Sequence, residues 1–319
     1  GFFFSFSPPP VDSGTSSIGL GGDSFDQQDI GLYVQSTYRA TDNIKIVLGG
    51  RYDQTRIRSV AQSAFNPRLA VVFTPGDFVF KGIYATAFKQ PAIYQRYSTN
   101  TARQVTNPGL DNENVSNIEV SAGWKITDDI FAEASYYRAS YDNVVGTVSV
   151  INPKTGSPTT KNDGVGSLRI QGIQASVTAQ LTSHYSLYGN FTYTDPYNTE
   201  KGEVRVGDIP SVSFNVGADA LFLDIVRVNI RANYIGERPT GVGTSVPANP
   251  FGTFSSVLLL NGTISVEKLV PGITGQLILN NITNLEYFDP GVRSADGGFY
   301  SARTPQREQN IMFRIMYDL

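Results

Sequence analysis

Apolar and polar residues alternate with a period of two along most of this chain, which is the pattern of β-strands. Between positions 78 and 88 the even positions are mostly aromatic, whereas the odd positions are smaller or charged and include Lys81. A second extended run at 68–73 is joined to it by residues 74–77, TPGD, in which proline presets φ and glycine tolerates positive φ. The stretch predicts a β-hairpin with one apolar face and one face that can meet water.

The same unit recurs along the chain and predicts about 13 strands, arranged as six hairpins and one closing strand. Short turns alternate with long polar segments. Residues 59–66 are expected to link the second strand to the hairpin described above, and the long segment 143–167 is expected to include a short strand at 144–151. The predicted strands are 29–39, 44–55, 68–73, 78–88, 117–126, 130–142, 168–181, 185–195, 211–220, 225–234, 254–266, 273–280 and 309–319.

The amino-acid composition excludes several kinds of structural and functional site. The 319 residues include no Cys and one His, so the sequence supports neither a disulfide framework, nor a thiolate metal site, nor a multi-histidine metal centre. A net charge of -3 argues against a nucleic-acid partner held by phosphate contacts. We expect no cofactor and no resident metal.

The mean hydropathy of -0.16 is that of a soluble protein, and no run approaches the roughly 20 apolar residues of a membrane helix. A transmembrane β-barrel, however, needs only alternating segments of about 10 residues, and its lumen face can be polar. The regular alternation of short turns and long loops favours an all-β, antiparallel transmembrane β-barrel over a soluble β-sandwich, whose loops need not sort by length.

The first 28 residues are expected to form an extracellular loop or irregular segment, because residues 11–28 are rich in Gly, Ser and Asp. The start, GFFFSFSPPP, has no basic leader and no small-residue cleavage site, so we expect the sequence to be a fragment. Residues 29–319 are expected to be the C-terminal portion of the barrel.

Several short motifs occur in order along the chain. They are LGGRYD (48–53), NPRL (66–69), TP (74–75), AFKQP (87–91) with Tyr94 and Tyr97, NPGL (107–110) through NIEV (117–120), GIQ (172–174), YIG (234–236), and NNITNL (280–285) with Tyr287. Each motif is weak alone, but their order and spacing over residues 29–319 resemble the barrel of TonB-dependent outer-membrane receptors.

This resemblance implies a multi-pass protein of the bacterial outer membrane, in contact with lipid and lipopolysaccharide. Such receptors import a scarce nutrient, often a ferric siderophore or cobalamin, when the TonB complex pulls on a plug domain. They perform no bond chemistry, so the chain is expected not to be an enzyme. The family barrel has 22 strands, of which this chain would supply positions 10 to 22. The plug, the energy-coupling box and the first strands are not in this sequence, and Leu319 stands where such barrels usually end in Phe.

Two sets of residues are candidates for function. Charged residues in the polar frames of strands are expected to face the lumen, and aromatic and arginine residues in long loops are expected to contact a chelate, since guanidinium groups pair with anionic oxygens and rings stack on planar groups. Ordinary loop packing is the alternative for each loop residue. The lumen set is Arg51, Glu119, Arg227, Arg231, Arg314 and Asp318; the ligand set is Tyr94, Arg96, Tyr97, Arg103, Tyr197, Arg293, Phe299, Tyr300 and Arg303.

The lone His184 follows Ser183 in a short turn and is expected to be a solvated histidine rather than a catalytic base. Two other functions stay open at this point. One is a structural or scaffolding barrel within a larger envelope complex with other proteins, and the other is a passive porin.

Overall fold

The computed structural model describes residues 3–7, 26–97, 104–199, 204–239, 252–291 and 303–317. Fourteen strands pair in sequence to form one continuous antiparallel sheet, and two short strands attach to its side. The elements are β1 (Phe3–Ser7), β2 (Gln27–Thr41), β3 (Ile44–Ile57), β4 (Val60–Phe73), β5 (Phe78–Lys89), α1 (Ile93–Tyr97), β6 (Gln104–Val105), β7 (Glu113–Thr127), β8 (Ile130–Ile151), β9 (Pro158–Gln180), β10 (Tyr185–Asn198), β11 (Val204–Arg205), β12 (Val212–Phe222), β13 (Val226–Ile235), β14 (Arg238–Pro239), β15 (Thr253–Phe254), β16 (Val257–Val270), β17 (Ile273–Asn280), β18 (Phe288–Pro290), β19 (Arg303–Pro305) and β20 (Asn310–Tyr317).

The fold class predicted from the alternation is confirmed: the 13 expected strands all form, and β1 adds a fourteenth. Residues 3–7 lie within the segment expected to be irregular, yet they pair with β2 from Phe3↔Gln35 to Ser7↔Gly31. Sequence reasoning missed this strand because five residues are too few to display a period.

The register sorts side chains onto two faces. Leu32, Tyr52 and Phe65 are aligned across β2, β3 and β4, and define the apolar face. The intervening positions, such as Arg51 and its partner Asn66, define the polar face. Large side chains on the apolar face remain open: Phe65 is 66% exposed and Phe313 is 69% exposed. A contiguous apolar surface of this extent is a surface for lipid or for another protein, since water disfavours it.

Aromatic side chains stack across one edge of the apolar face, close to the short turns. The rings of Phe73 and Phe80 are 6.2 Å apart, those of Phe78 and Phe80 are 6.1 Å apart, and those of Phe78 and Trp124 are 5.8 Å apart. Such a row at the border of an apolar band is typical of the aromatic girdle of a membrane barrel.

The two ends of the sheet differ. At the tight-turn end, the strands are joined at 42–43, 74–77, 128–129, 181–184, 223–225 and 271–272. At the loop end, most connections are long. One loop-end connection is short, contrary to expectation: β4 begins at Val60, so the predicted linker 59–66 is wrong. Arg58 takes a φ of 52° in a turn of two residues, which lets β3 continue directly into β4.

Strands β8 and β9 extend beyond their neighbours at the loop end. Pairing of β7 with β8 stops at Asn114↔Asp142, whereas β8 and β9 stay paired as far as Ile151↔Pro158. The short strand expected at 144–151 is therefore the outer part of β8. Strand β6 pairs in parallel with β9 at Thr160 and Lys161, and thus ties the loop after β5 to this two-stranded ribbon.

Candidate functional site

A cavity of about 330 Å³ opens at the loop end, between two short hairpins. Its lining comes from residues 253–257, which include β15, from residues 285–288, and from Arg303 on β19. We call it the loop-end cavity. Except for Val257 at the start of β16, its walls come from the connections between sheet strands, so its chemistry is set mainly by loop side chains.

Arg238 on β14 joins the two hairpins. Its side chain donates from Nη1 to Asp289 Oδ1 at 2.7 Å and from Nη2 to the carbonyl oxygen of Phe288 at 3.0 Å. The guanidinium carbon also lies 5.8 Å from the centre of the Phe254 ring. Arg238 is buried, so this charge is balanced by Asp289 rather than by bulk water.

Arg303 and Phe288 form the second contact at this cavity. The guanidinium carbon of Arg303 lies 4.0 Å from the centroid of the Phe288 ring, which is a close cation–π arrangement. Burial, together with the neighbouring Asp289 carboxylate, raises the pKa of the Tyr287 hydroxyl above its ordinary value. The phenol therefore stays protonated at neutral pH and can donate a hydrogen bond.

This combination can bind an anionic ligand that carries flat rings. A guanidinium pairs with anionic oxygens, rings supply stacking surfaces, and a protonated phenol donates to an oxygen. Of the predicted ligand residues, the structure places Arg303 at this cavity. Sequence reasoning missed Arg238, Phe254, Phe288 and Tyr287 as site residues; Tyr287 was part of a family motif, and that motif did not indicate a site.

Arg96 and Tyr97, both predicted to contact a ligand, lie inside a loop core instead. Arg96 is 1% exposed and donates to Gln62 Oε1, and Tyr97 packs against Ile57 in the buried cluster that Ile93 also joins. Burial lowers the pKa of the Arg96 guanidinium from its ordinary value. Their observed role is to hold helix α1 against the ends of β3 and β4. Tyr94 is 54% exposed on the same helix and stays a candidate.

Tyr197 lies near the end of β10, and its contact with a ligand stays a prediction. It follows Tyr193 at even spacing on β10, which places it in the frame of the apolar face. Arg169 on β9 lies over its ring, with the guanidinium carbon 5.7 Å from the ring centre. The remaining predicted residues, Arg103, Arg293, Phe299, Tyr300 and Asp318, lie outside the described residues.

The predicted lumen residues lie on the polar face by register. Arg51 pairs with Asp53 at 2.7 Å, and Arg227 pairs with Asp219 at 2.6 Å and with Glu267 at 2.9 Å. The others are identified by their partners in the register: Glu119 is opposite Tyr137, Arg231 opposite Asn261, and Arg314 opposite Gln276. That the polar face lines a lumen stays a prediction.

His184 contacts two groups at the tight-turn end. Its Nδ1 lies 2.8 Å from Ser183 Oγ, and its Nε2 lies 2.7 Å from Asp224 Oδ1. The backbone N–H groups of His184 and Tyr185 are both donated to Thr182 Oγ1, at 3.1 and 3.2 Å. A serine hydrolase needs free N–H donors next to the nucleophile; these two are already used.

Within the described part of the chain, no group of three or more His, Cys, Asp or Glu side chains could hold a metal ion. No helix among the described residues is long and apolar enough to cross a membrane.

The sheet defines the class first: an all-β protein whose strands form part of an antiparallel barrel wall, with an apolar and a polar face. Comparison with known proteins agrees. The family model "TonB dependent receptor-like, beta-barrel" matches residues 2–282. Because this match covers most of the chain, the protein belongs to the TonB-dependent receptor β-barrel family.

Individual relatives are distant. An uncharacterized TonB-dependent receptor of Haemophilus influenzae is 28% identical over 180 residues, which are 54% of this chain and 50% of that protein. The siderophore receptor PirA from Acinetobacter baumannii has a TM-score of 0.73 at 19% identity, covering 98% of this chain and 49% of that one. The ferric-catecholate import receptor Fiu from E. coli K12 has a TM-score of 0.72 at 15% identity, covering 92% of this chain and 45% of that one. The chain spans about half the length of the relatives it matches.

Proposed function

We propose that this chain forms the C-terminal barrel portion of an outer-membrane receptor that imports a metal chelate, with a ferric siderophore as the substrate class. The observation that carries the proposal is the loop-end cavity, where Arg303 lies 4.0 Å from the Phe288 ring and Arg238 fixes the neighbouring hairpin. Ferric siderophores are anionic or polar, rich in oxygen, and often carry flat rings, so this lining suits them.

The two structural relatives support this substrate class in a limited way. PirA is described as a siderophore receptor and Fiu as a ferric-catecholate import receptor. Both are less than 25% identical to this chain, so what they share with it is the fold. The substrate is proposed from the cavity lining and not from these names; cobalamin is the second candidate.

In this proposal the apolar face contacts lipid and lipopolysaccharide of the bacterial outer membrane, and the polar face lines the lumen. The loop end then faces outward, and the tight-turn end faces the periplasm. A plug domain would lie outside residues 1–319 and would connect the receptor to the TonB complex. Transport of this kind involves no bond chemistry, so the protein would not be an enzyme.

The proposal is tested by measuring ligand binding to the intact protein in detergent extracts of outer membranes. The probes are the ⁵⁵Fe complexes of a tris-catecholate and a tris-hydroxamate siderophore, with cyanocobalamin as the third. Saturable binding of one iron complex, reduced in Arg303→Gln and preserved in Arg56→Gln, would support it. Arg56 is a suitable control because it is exposed and lies on β3, away from the loop-end cavity.

Uptake by cells separates the transporter from the two alternatives. A receptor of this family takes up the bound probe only when the TonB complex is energised. Uptake that continues without TonB would favour a passive porin. Absence of binding and of uptake for all three probes would favour a scaffolding barrel in an envelope complex.

A further inference from the structure

A row of four asparagine side chains crosses the polar face and ends at the backbone of Asn281, just after β17. Asn215 donates from Nδ2 to Asn190 Oδ1 at 2.8 Å, and Asn233 donates to Asn215 Oδ1. The next bond, from Asn261 Nδ2 to Asn233 Oδ1, is 2.8 Å long. We call Asn190, Asn215, Asn233 and Asn261 the asparagine ladder; it crosses β10, β12, β13 and β16.

All of the amides point the same way. From Asn215 to Asn261, each side-chain N–H donates to the asparagine on the preceding strand. The side-chain oxygen of the same residue can then accept a hydrogen bond from the next residue in the row. Hydrogen bonds aligned in this way polarise one another, so each bond of the asparagine ladder is stronger than it would be alone. At the last amide, Asn261 Oδ1 accepts a hydrogen bond from the backbone N–H of Asn281 at 2.9 Å.

Asn281 starts the segment 281–290, which we call the strap. Its backbone has a φ of 50°, and the residue is 4% exposed. The side chain bridges the next turn: Nδ2 donates to the Leu285 carbonyl at 2.8 Å, and Oδ1 accepts from the Leu285 N–H at 2.9 Å. Every polar atom of this side chain is used within the strap and its neighbours, so Asn281 sets the path of the chain after β17.

The strap forms one wall of the loop-end cavity through residues 285–288. Its far end is held by β18, by Arg238, and by the bond from the Gln306 N–H to the Tyr287 carbonyl at 3.0 Å. Its near end is held by Asn281 and, through it, by the asparagine ladder. The Ile282 N–H also donates to the Leu260 carbonyl at 2.8 Å, and Gln309 bonds to Ile282 and Asn284 at 3.0 and 2.9 Å. Residues 282–286 between these two anchors are exposed, so packing contributes little to their position.

We infer that Asn261 and Asn281 are positioning residues: the asparagine ladder fixes the strap against the barrel wall and thereby sets the shape of the loop-end cavity. Neither residue lines the cavity, so any effect on binding passes through the strap. This inference rests on the proposed function for its binding consequence, whereas the order of the strap can be measured without a ligand.

The first measurement is hydrogen–deuterium exchange of the intact, detergent-extracted protein, comparing wild type with Asn261→Leu. Leucine has a similar size but neither accepts from the Asn281 N–H nor donates to Asn233. We expect amide protection in the strap to fall about tenfold, the change that a loss of ~1.4 kcal/mol produces, with β10, β12 and β13 unchanged.

Two further variants separate positioning from general destabilisation. Asn229→Leu is the matched control, since Asn229 lies on the same face of β13 but donates to the Ala218 carbonyl at 3.4 Å and is outside the ladder. Asn261→Asp keeps an oxygen for the Asn281 N–H but cannot donate to Asn233, so it isolates the contact with the strap from the rest of the asparagine ladder; its register partner Arg231 supplies a counter-charge. We expect wild-type strap protection in Asn229→Leu, and we expect Asn261→Asp to restore most of the protection that Asn261→Leu loses.

The inference is overturned if Asn261→Leu leaves strap protection unchanged, if Asn229→Leu lowers it equally, or if Asn261→Asp fails to restore it. Binding of the ⁵⁵Fe tris-catecholate complex is the second readout, and we expect it to weaken about tenfold in Asn261→Leu alone. If wild type does not bind that probe while strap protection responds as expected, the proposed substrate is wrong and the positioning role stands.

Discussion

The guanidinium carbon of Arg303 lies 4.0 Å from the centroid of the Phe288 ring, across the β18–β19 hairpin. The pair links the two sides of that hairpin at the wall of the loop-end cavity. Arginine interacts with an aromatic ring through both its positive charge and its planar guanidinium group. Lysine carries the charge but has no planar group.

Arg303→Lys is therefore expected to weaken binding of the ferric probe, and Arg303→Gln to weaken it further. The expected losses are about threefold and about tenfold, in keeping with ~0.5–2 kcal/mol for a cation–π contact. Equilibrium binding of the ⁵⁵Fe complex measures both. Equal affinity in wild type and both variants would remove Arg303 from the site.

Arg238→Met is expected to loosen the two hairpins at the cavity by about 2 kcal/mol, because Asp289 and the Phe288 carbonyl lose a charged donor. Asp289→Asn should cost at least as much, since the Arg238 side chain is 7% exposed and its charge would lose the carboxylate that balances it, whereas the 40% exposed Asp289 can be hydrated when Arg238 is replaced. Hydrogen exchange of β18 and β19 measures the loss. The double variant should be less affected than the sum of the two single variants, and simple additivity would show that the ion pair contributes nothing.

Leu110→Ala is expected to open the loop 90–112 without unfolding the sheet. Leu110 is 1% exposed, and its carbonyl accepts from Gln62 Nε2 at 2.8 Å, so the truncation leaves a cavity next to an anchoring bond. The local cost should be about 2–5 kcal/mol. The rate of limited proteolysis within 90–112 measures the opening of the loop. Tyr94→Ala is the control because that side chain is exposed.

Gly172→Ala is expected to reduce the yield of folded protein in the outer membrane. A Cβ at this position would overlap the backbone carbonyl oxygen of Tyr193 and approach the Tyr137 hydroxyl, and a backbone atom in a central strand pair has little room to move. Gly82→Ala is the matched control, because a Cβ there meets no atom within 4 Å. The measurement is the fraction that resists unfolding by detergent without heating. Similar fractions for the two variants would contradict the prediction.

A fluorophosphonate probe is expected not to label Ser183. The backbone N–H groups of His184 and Tyr185 already donate to Thr182 Oγ1, so they are not available beside Ser183 to stabilise an oxyanion. Mass spectrometry of the treated protein tests this, with Ser183→Ala as the reference. Labelling of Ser183 above that reference would reopen a hydrolase function.

The sequence by itself determined the sheet. Period-two alternation needs only local side-chain chemistry, so the strands around Phe80, Leu48 and Ile118 could be predicted, together with the face on which each residue lies. The barrel family also followed from motifs that occur in order. Two short features were not predicted from the sequence. They are the strand at 3–7 and the two-residue turn at Arg58, where a non-glycine residue adopts positive φ.

Only the tertiary structure decided which loop residues meet. Arg96 and Arg303 look alike in the sequence, since both are arginines next to aromatics in long loops. Arg96 is buried against Gln62, whereas Arg303 lies over Phe288 at a cavity. Arg238 reaches Asp289 across 51 residues, and Asn261 reaches Asn281 from a neighbouring strand. Contacts of this kind depend on strand order and on how each loop packs, and no local period in the sequence records them.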